Sequence, residues 1–384
     1  MREKRNVDIC MIGGGIYGLV TAYHLAKVGR DVLVIDRGPY GMEASRSNAG
    51  SIAIQNKALN MLAETVKAAY RWGNLSEELG FDVGYERRGG FRVASSEGDV
   101  EMLRSRIPIQ RKAGVPVELV EEKVIRKEAP YLSTEVLAAG YCHLDGKADP
   151  FKAVLAYAKA FERLNGKILT HAPVKRLKSE GKQVAVETPS VSILANKVVN
   201  TAGAWAGLVS AMMGVPLPVM WALNMATITE PGPEIIPHIV THCHGNLTVK
   251  QAKGRIIIGG AWRGDGDPFT GRQQVNLTNI RGNLSWACTM IPAIKGFRVL
   301  RSWSGFQGQS PDRVFMMGEL PPYDGRFYIM AAGSGGFGLA PIIGEQMAEW
   351  IHKGSVTENI TDNFKLFDVR RYCPDESRKA ADMM

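Results

Sequence analysis

Residues 7–36 constrain the fold of this chain more than any other part of its sequence. A short apolar run leads into three glycines, a helical segment follows, and a second apolar run ends on an acidic side chain. These markers are Gly13, Gly15, Gly18 and Asp36. Their order predicts a strand, a tight turn, a helix and a second parallel strand. Such a unit binds the phosphates of a dinucleotide at the helix N-terminus, where backbone N–H groups are free.

Each glycine of the predicted turn has its own physical role. Gly13 permits the tight turn, Gly15 lets a pyrophosphate approach the backbone, and Gly18 lets the helix pack close to the sheet. Asp36 stands at about the ~20-residue spacing at which a carboxylate accepts hydrogen bonds from ribose hydroxyls. The motif predicts a dinucleotide without identifying which one, and the alternative is a glycine turn that occurs by chance.

Length and composition are those of a globular protein. The chain has 384 residues, 45% of them hydrophobic and 22% charged, which suffices for two domains or one elaborate domain. No apolar run approaches the ~20 residues that span a bilayer, and the basic N-terminus leads into the glycine turn without a signal-peptide pattern. We expect a cytoplasmic protein that does not span the membrane, with a peripheral position at the inner membrane face as a variant.

Charge and cysteine usage argue against several other classes of protein. The net charge of +9 suits anionic ligands, acidic partners or a membrane surface. The basic residues are spread out and no nucleic-acid motif accompanies them, so we expect no nucleic-acid binding. The five cysteines are scattered, which argues against a disulfide framework and against a zinc or iron–sulfur site. His238, His242 and His244 lack a metal-ligand context, so we interpret them as loop residues and expect no metal.

The remaining pattern predicts two interleaved domains. Asp149 and Pro150 predict the N-cap and first residue of a helix. Residues 167–178 and 183–188 read as two strands of a small antiparallel unit. Segments typical of a cofactor domain occur at both ends and in the middle of the chain, with strand-rich pieces between them. The expected cofactor domain comprises residues 1–84, 143–215 and 300–384, and the expected second domain comprises residues 85–142 and 216–299.

Three further segments, taken with the N-terminal unit, make this chain resemble the D-amino acid oxidase family of FAD-dependent amine oxidoreductases. ASRSNAGSI, at residues 44–52, looks like the family's loop over the flavin. VVNTAGAWAG, at 198–207, is similar to its turn beside the FAD. WSGFQGQSPD, at 303–312, pairs with AAGSGGFGLAPIIGE, at 331–345. The family includes glycine and sarcosine oxidases and the FAD subunits of opine and D-hydroxyproline dehydrogenase complexes.

The resemblance implies an α/β fold in which a Rossmann-type FAD-binding domain of the glutathione reductase-like kind joins a second, antiparallel sheet-rich substrate domain. The FAD is expected to be non-covalent, because the segments that match the flavin loop and the C-terminal turn contain no His or Cys. The residues expected to bind it are Gly13, Gly15, Ile16, Tyr17, Gly18, Asp36, Arg37, Ser45, Ser47, Asn48, Ala49, Gly50, Val174, Ala202, Gly203, Trp205, Gly305, Gly333, Gly335, Gly336, Phe337 and Gly338.

The implied reaction is oxidation of a C–N bond. A hydride passes from the substrate carbon to flavin N5 and leaves an imine, while the protein supplies orientation and electrostatics. Glycine oxidase-like members carry an Arg on the substrate carboxylate where this chain has Gln307, which has no charge. Candidates for the carboxylate partner are Lys250, Arg263 and Arg301, and Arg is the better bidentate partner. We expect Gln307, Arg263 and Lys250 to contact the substrate.

A second departure from the family pattern concerns the electron acceptor. Sarcosine oxidase-like members place a lysine that helps dioxygen react where this chain has Ile257. An apolar residue at this position favours a dehydrogenase over an oxidase. The expected substrate is an amino acid derivative such as an opine or D-hydroxyproline, and the expected complex includes partner subunits that carry further redox centres. The alternatives are a self-sufficient D-amino acid, glycine or sarcosine oxidase, and a non-catalytic flavin-binding assembly subunit. A nicotinamide enzyme on the same nucleotide fold would leave the C-terminal glycine turn unexplained.

Overall fold

The computed structural model describes residues 3–323, 325–333, 335–356 and 364–373. The strands are β1 Glu3–Ile12, β2 Val32–Ile35, β3 Ser51–Ile52, β4 Glu86–Arg87, β5 Gly90–Ala94, β6 Val117–Glu121, β7 Ala138–Cys142, β8 Gly146–Lys147, β9 Lys167–Leu169, β10 Arg176–Glu180, β11 Gln183–Glu187, β12 Val191–Asn200, β13 Met220–Thr229, β14 Ile239–His242, β15 Thr248–Ala252, β16 Arg255–Arg263, β17 Asp265–Asp267, β18 Arg272–Gln274, β19 Val299–Gln309, β20 Met316–Glu319 and β21 Phe327–Ala331. The α-helices are α1 Ile16–Lys27, α2 Ala44–Ser47, α3 Leu62–Leu79, α4 Glu97–Lys112, α5 Glu122–Glu128, α6 Pro150–Arg163, α7 Ala206–Ala211, α8 Leu277–Met290, α9 Gly336–Lys353 and α10 Phe364–Phe367.

The first large sheet is built around the N-terminal unit. Its strand order is β10-β11-β12-β1-β2-β9, and β21 continues it beside β12 and carries β20. β1 runs parallel to β2 and to β12, and β12 runs parallel to β21. β2 reads VLVI and is buried throughout, as a parallel strand covered on both faces must be. The predicted strand–turn–helix–strand unit is confirmed.

The second large sheet is almost entirely antiparallel. Its order is β19-β13-β16-β15-β14-β5-β7-β6, and β14 and β5 form its parallel pair. Helix α8 lies on β16, where the Asn283 amide donates to the Gly259 carbonyl at 3.1 Å. The predicted α/β fold with a second, antiparallel sheet is confirmed. None of the helices described above is long and apolar enough to cross a membrane.

Strand β19 belongs to a different sheet from the one that the predicted domain segments suggest. The sequence places residues from 300 onward in the cofactor domain, but β19 pairs antiparallel with β13 of the second sheet. Strand pairing depends on which edge is free in the folded molecule, and the local pattern does not contain that information. Residues 374–384, which end the predicted third segment, lie outside the described residues.

The predicted strand at residues 167–178 is two separate strands. β9 runs parallel to β2, whereas β10 pairs antiparallel with β11. His171 adopts a φ of +56° between them, and Pro173 lacks the N–H that a ladder requires. The predicted start of helix α6 is confirmed, because the Asp149 carboxylate accepts hydrogen bonds from the N–H groups of Phe151 and Lys152 at 3.0 and 3.2 Å.

Helices α1 and α9 pack against each other at unusually short range. A Cβ added to Gly344 would lie 2.5 Å from Val20 Cγ1 and 2.7 Å from Val20 Cβ. Leu19 and Ile343, one on each helix, are fully buried in the same core. Because both helices begin at glycine turns of the predicted cofactor site, this contact also sets the relative position of the two turns.

We expect Gly344→Val to lower the free energy of unfolding by about 1–3 kcal/mol, because overpacking must push the two helices apart. In an open helix position the same change would be favourable or neutral. Urea denaturation of the FAD-loaded protein measures the effect, with His352→Val on the exposed face of α9 as the matched control. Equal stability of Gly344→Val and the control would contradict close packing at this contact.

Candidate cofactor and substrate site

A cavity of about 640 Å³ is lined by residues from both large sheets, and we call it the intersheet cavity. Every predicted FAD-binding residue except Gly18 lines it. Of the substrate-contact candidates, Gln307 and Arg263 line it, whereas Lys250 and Arg301 do not. Folding therefore brings together segments that are dispersed over most of the chain.

Two glycines make the N-terminal turn sterically possible. Gly13 has a φ of +115°, and a Cβ there would lie 2.5 Å from the Thr201 carbonyl oxygen. A Cβ at Gly18 would lie 2.0 Å from the Gly13 carbonyl oxygen. No side chain fits at either position without moving the backbone. Gly18 lies behind the cavity wall, which matches the packing role that the sequence suggests for it.

The first turn of α1 presents backbone donors toward the intersheet cavity. The Ile16 N–H donates to Ser45 Oγ at 2.9 Å. The N–H groups of Gly15 and Tyr17 have no hydrogen-bond acceptor within the described part of the chain. Free N–H groups at the positive end of a helix dipole stabilise an anion, so this turn fits a pyrophosphate.

Asp36 closes the turn from the end of β2. Its carboxylate accepts hydrogen bonds from the N–H groups of Gly14 at 2.8 Å and Gly38 at 2.9 Å. Burial raises the pKa of this carboxyl, and the two N–H donors oppose that rise. A carboxylate offers about four lone-pair sites, so acceptor capacity is left for ribose hydroxyls.

The loop predicted to cover the flavin is tied to strand β19 of the second sheet. Asn48 Oδ1 accepts from the Gly50 N–H at 2.7 Å, which shapes the loop. Trp303 of β19 donates its indole N–H to the Ser47 carbonyl at 2.9 Å. A Cβ at Gly305 would lie 2.0 Å from Ser47 Oγ, so the loop and β19 touch closely. The sequence identified this loop, and tertiary packing gives it a defined position.

The turn containing Gly203 and Trp205 forms another part of the cavity wall. The Arg37 guanidinium lies 3.5 Å from the centroid of the Trp205 ring, a distance typical of a cation–π contact. The indole N–H donates to the Pro268 carbonyl in the β17–β18 connection at 2.8 Å. The Trp205 ring is therefore held by a cation on its face and by a hydrogen bond at its edge.

Near the C-terminus, the turn before α9 is bound by a half-buried cation that the sequence reasoning missed. Lys57 Nζ donates to the Gly335 carbonyl at 2.8 Å. Burial lowers the pKa of Lys57 to about 8, against the raising effect of Asp145. A Cβ at Gly336 would lie 1.6 Å from Tyr17 Oη. The sequence around Lys57 does not indicate this contact, because Gly335 lies far away in the chain.

A hydrogen-bonded pair of amides marks the substrate side of the cavity. Gln307 Nε2 donates to the Gly333 carbonyl at 3.1 Å, and Gln307 Oε1 accepts from Asn224 Nδ2. Because the Gly333 carbonyl can only accept, Gln307 must turn its Nε2 toward it and its Oε1 toward Asn224. Asn224 must then turn its Nδ2 toward Gln307. Asn224 Oδ1 consequently remains buried without a hydrogen-bond partner among the described residues. Sequence reasoning did not find Asn224, which comes from another strand.

Arg263 places a cation on the cavity wall. Its guanidinium makes no hydrogen bond or ion pair to the part of the chain that the structure describes. Burial lowers the pKa of Arg263, and the charge of Arg313 lowers it further. A half-buried guanidinium without an anionic partner is suited to bind the carboxylate of a ligand.

The other two candidate cations lie elsewhere. Lys250 is buried in β15 opposite Ile257 of β16, and its Nζ donates to the Ala148 carbonyl at 3.2 Å. Burial, followed by the charge of Lys147, lowers the pKa of Lys250 to about 7. Arg301 is exposed at the start of β19 and lies 5.4 Å from the Trp303 ring. Side-chain direction, which the sequence does not specify, separates these residues from Arg263.

The residues present fit FAD. The cavity combines backbone positions that side chains would fill, free N–H groups at a helix N-terminus and an acidic side chain at the end of β2. The residues that line it include no His or Cys. Non-covalent attachment therefore remains the expectation for this site.

Comparison with known proteins agrees with this assignment. The family described as DAO, FAD dependent oxidoreductase, matches residues 8–350. Glycine oxidase of Bacillus subtilis (strain 168) is 28% identical over 94% of this chain and 98% of its own length. A subunit of the opine oxidase of Agrobacterium tumefaciens (strain Ach5) is 25% identical over 95% of this chain and 98% of its own length.

A solved structure extends the likeness to three dimensions. The crystal structure of L-proline dehydrogenase from P. horikoshii superposes with a TM-score of 0.84 at 29% identity, covering 97% of this chain and 98% of that one. The family match spans both large sheets and every segment that lines the cavity. The chain therefore belongs to the DAO family of FAD-dependent oxidoreductases, and it is an FAD enzyme that oxidises an amine or amino acid.

Proposed function

We propose that this chain oxidises the C–N bond of an N-substituted or cyclic amino acid, such as an opine or D-hydroxyproline, to an imine. In this proposal it is the catalytic subunit of a dehydrogenase complex whose partner subunits carry further redox centres. The observation that carries the proposal is the guanidinium of Arg263 on the cavity wall, which has no partner among the residues that the structure describes and lies beside a neutral amide pair. Similarity to the opine oxidase chain of Agrobacterium tumefaciens, along nearly the full length of both proteins, supports the subunit role.

Arg263 and the amide pair would divide substrate recognition between them. The guanidinium would hold the substrate carboxylate through charge-assisted hydrogen bonds. The free Asn224 Oδ1 is an acceptor within the same cavity and suits the N–H of a secondary amine. Gln307 holds this amide in place and is itself uncharged, so it does not compete for the carboxylate. Two separate contacts would thus orient the C–H bond that breaks.

The chain's own groups would also favour the reduced cofactor. FAD, when bound, accepts the hydride at N5. The N-terminus of α9 directs its partial positive charge toward the cavity, and Lys57 holds the preceding turn by its bond to Gly335. Preorganised dipoles and cations of this kind stabilise negative charge that develops during a reaction.

A self-sufficient oxidase is the second candidate function, and one observation favours it. Lys250 is the cross-strand neighbour of Ile257, the position at which oxidase relatives carry a lysine. A Cβ at Gly50 of the flavin loop would lie 2.6 Å from Lys250 Nζ. Lys250, on the neighbouring strand, therefore lies behind the flavin loop, although Ile257, at the position of the oxidases' lysine, is apolar. A non-catalytic assembly subunit is the third alternative.

Anaerobic titration of the FAD-loaded chain with amino acids and opines tests the proposal. We expect a secondary amino acid or opine to bleach the flavin absorbance, and we expect the bleaching to persist in air but to reverse with an artificial acceptor. Rapid recovery in air with hydrogen peroxide would establish the oxidase. If no compound bleaches the flavin even in the complete complex, the chain is an assembly subunit.

We expect Arg263→Met to raise KM for the substrate at least about 30-fold, because a lost charge-assisted carboxylate contact costs about 2 kcal/mol or more. The value of kcat should change much less if the guanidinium holds ground state and transition state equally. Steady-state kinetics with the artificial acceptor measure both constants, with Arg301→Met, at the exposed start of β19, as the control. An unchanged KM would remove Arg263 from the substrate site.

We expect Lys250→Met to be more stable than the wild type at pH 7 by at least about 1 kcal/mol, because it removes a buried charge. The folded-state pKa of Lys250 is lowered from 10.5 to about 7. Between these values the unfolded chain binds the extra proton, so wild-type stability should rise with pH across this window. Below pH 7 the cost of the buried charge is fully present.

Urea denaturation at pH 7 and pH 9, with FAD saturating, measures this difference. The rise with pH should be smaller in Lys250→Met than in the wild type. Lys123→Met, which removes an exposed lysine of α5, is the control and should keep the wild-type pH dependence. If stability changes equally with pH in Lys250→Met and in the wild type, the folded protein does not lower the pKa of Lys250.

A further inference from the structure

We propose that the second sheet carries a zinc site formed by Asp99, His242, Cys243 and His244. The three consecutive residues end β14 and begin the turn into β15, and Asp99 lies in the first turn of α4. The ligating atoms of His242, Cys243 and His244 all lie within 4.8 Å of one another. This cluster has no part in the proposed oxidation, and FAD is not needed to form it.

The Asp99 carboxylate lies at the centre of the cluster. His244 Nε2 is 2.7 Å from Asp99 Oδ1, and His242 Nε2 is 3.6 Å from Asp99 Oδ2. Cys243 Sγ lies 3.9 Å from His242 Nδ1. Both imidazoles thus approach one acidic group, and the thiol lies against one of these imidazoles.

The chemistry of these donors selects the metal. Two imidazoles, one thiolate and one carboxylate form a four-coordinate set of nitrogen, sulfur and oxygen ligands, which suits tetrahedral zinc. The thiolate and the carboxylate would together neutralise the charge of Zn²⁺, so the loaded site is electrically neutral. Binding would release the thiol proton of Cys243, because the metal ligand is the thiolate.

The surroundings orient the carboxylate and leave a path for the ion. Asp99 Oδ2 accepts hydrogen bonds from the N–H and hydroxyl of Ser95 at 3.0 and 3.3 Å. Such outer partners fix the geometry of a ligand. The side chains of His242 and Asp99 are 1% and 4% exposed, whereas that of His244 is 54% exposed and forms the solvent side of the cluster.

A metal here would stabilise one part of the intersheet cavity. Gly245, the residue after His244, lines that cavity. The next carbonyl, of Asn246, accepts from the Trp262 indole N–H at 2.8 Å. Zinc would connect this turn to α4 through Asp99 and so fix this segment of the cavity wall. The expected role is structural.

Titration of the metal-stripped full chain with Zn²⁺ tests the proposal. We expect about one zinc ion per chain, and Cys243→Ser and His244→Ala should each bind it at least about 100-fold more weakly, since loss of an outer partner alone costs 10- to 100-fold. Zinc should also raise the Tm of the wild type and not that of these variants. The matched controls, Cys373→Ser and His352→Ala, remove a Cys and a His outside this cluster and should keep full affinity.

Loading with Co²⁺ supplies a second readout that does not depend on catalysis. We expect the visible bands of a tetrahedral site, at wavelengths beyond the flavin absorption, with a thiolate charge-transfer band that Cys243→Ser abolishes. His244 is exposed, so His244→Ala should fold and decide the question even if Cys243→Ser does not. Zinc bound below stoichiometry, or with the same affinity in His244→Ala as in His352→Ala, would overturn the proposal.

Discussion

The close approach of α1 to the ends of β1 and β12 is the contact on which the rest of this structure depends. It exists because Gly13 and Gly18 have no Cβ at points where backbone atoms lie 2.5 and 2.0 Å from where one would be. Thr201 Oγ1 donates to the Gly13 carbonyl at 2.8 Å and closes the turn. The free N–H groups of α1 are thereby held at the carboxyl edge of the first sheet, where a parallel sheet binds its ligands.

The second sheet completes the site because β19 pairs with its strand β13. Ser47 of the flavin loop contacts this strand at Trp303 and Gly305, so the loop is held against the second sheet. β13, β16 and β19 then supply Asn224, Arg263 and Gln307 to the same cavity. An amine substrate would consequently lie between a cofactor held by one sheet and polar groups held by the other.

Much of the cofactor side could be predicted from the sequence, and much of the substrate side could not. A glycine turn that feeds a helix is a local device, and its residues are read within one short segment. Asn224 and Lys57 have no such signature, because their roles come from contacts with Gln307 and Gly335, which lie far away in the chain. Lys250 and Arg263 are both candidates by sequence, and only the direction of each side chain in the fold shows which of them lines the cavity.

The sequence by itself determined the strand–turn–helix unit, the FAD family and the residues of the glycine-rich turns. These follow from steric and hydrogen-bonding requirements that neighbouring residues satisfy among themselves. The tertiary structure alone decided that β19 joins the second sheet, that Arg263 rather than Lys250 faces the cavity, and that Asp99 meets His242 and His244. Those outcomes depend on how distant segments pack, because burial and strand pairing are properties of the whole fold and not of any local pattern.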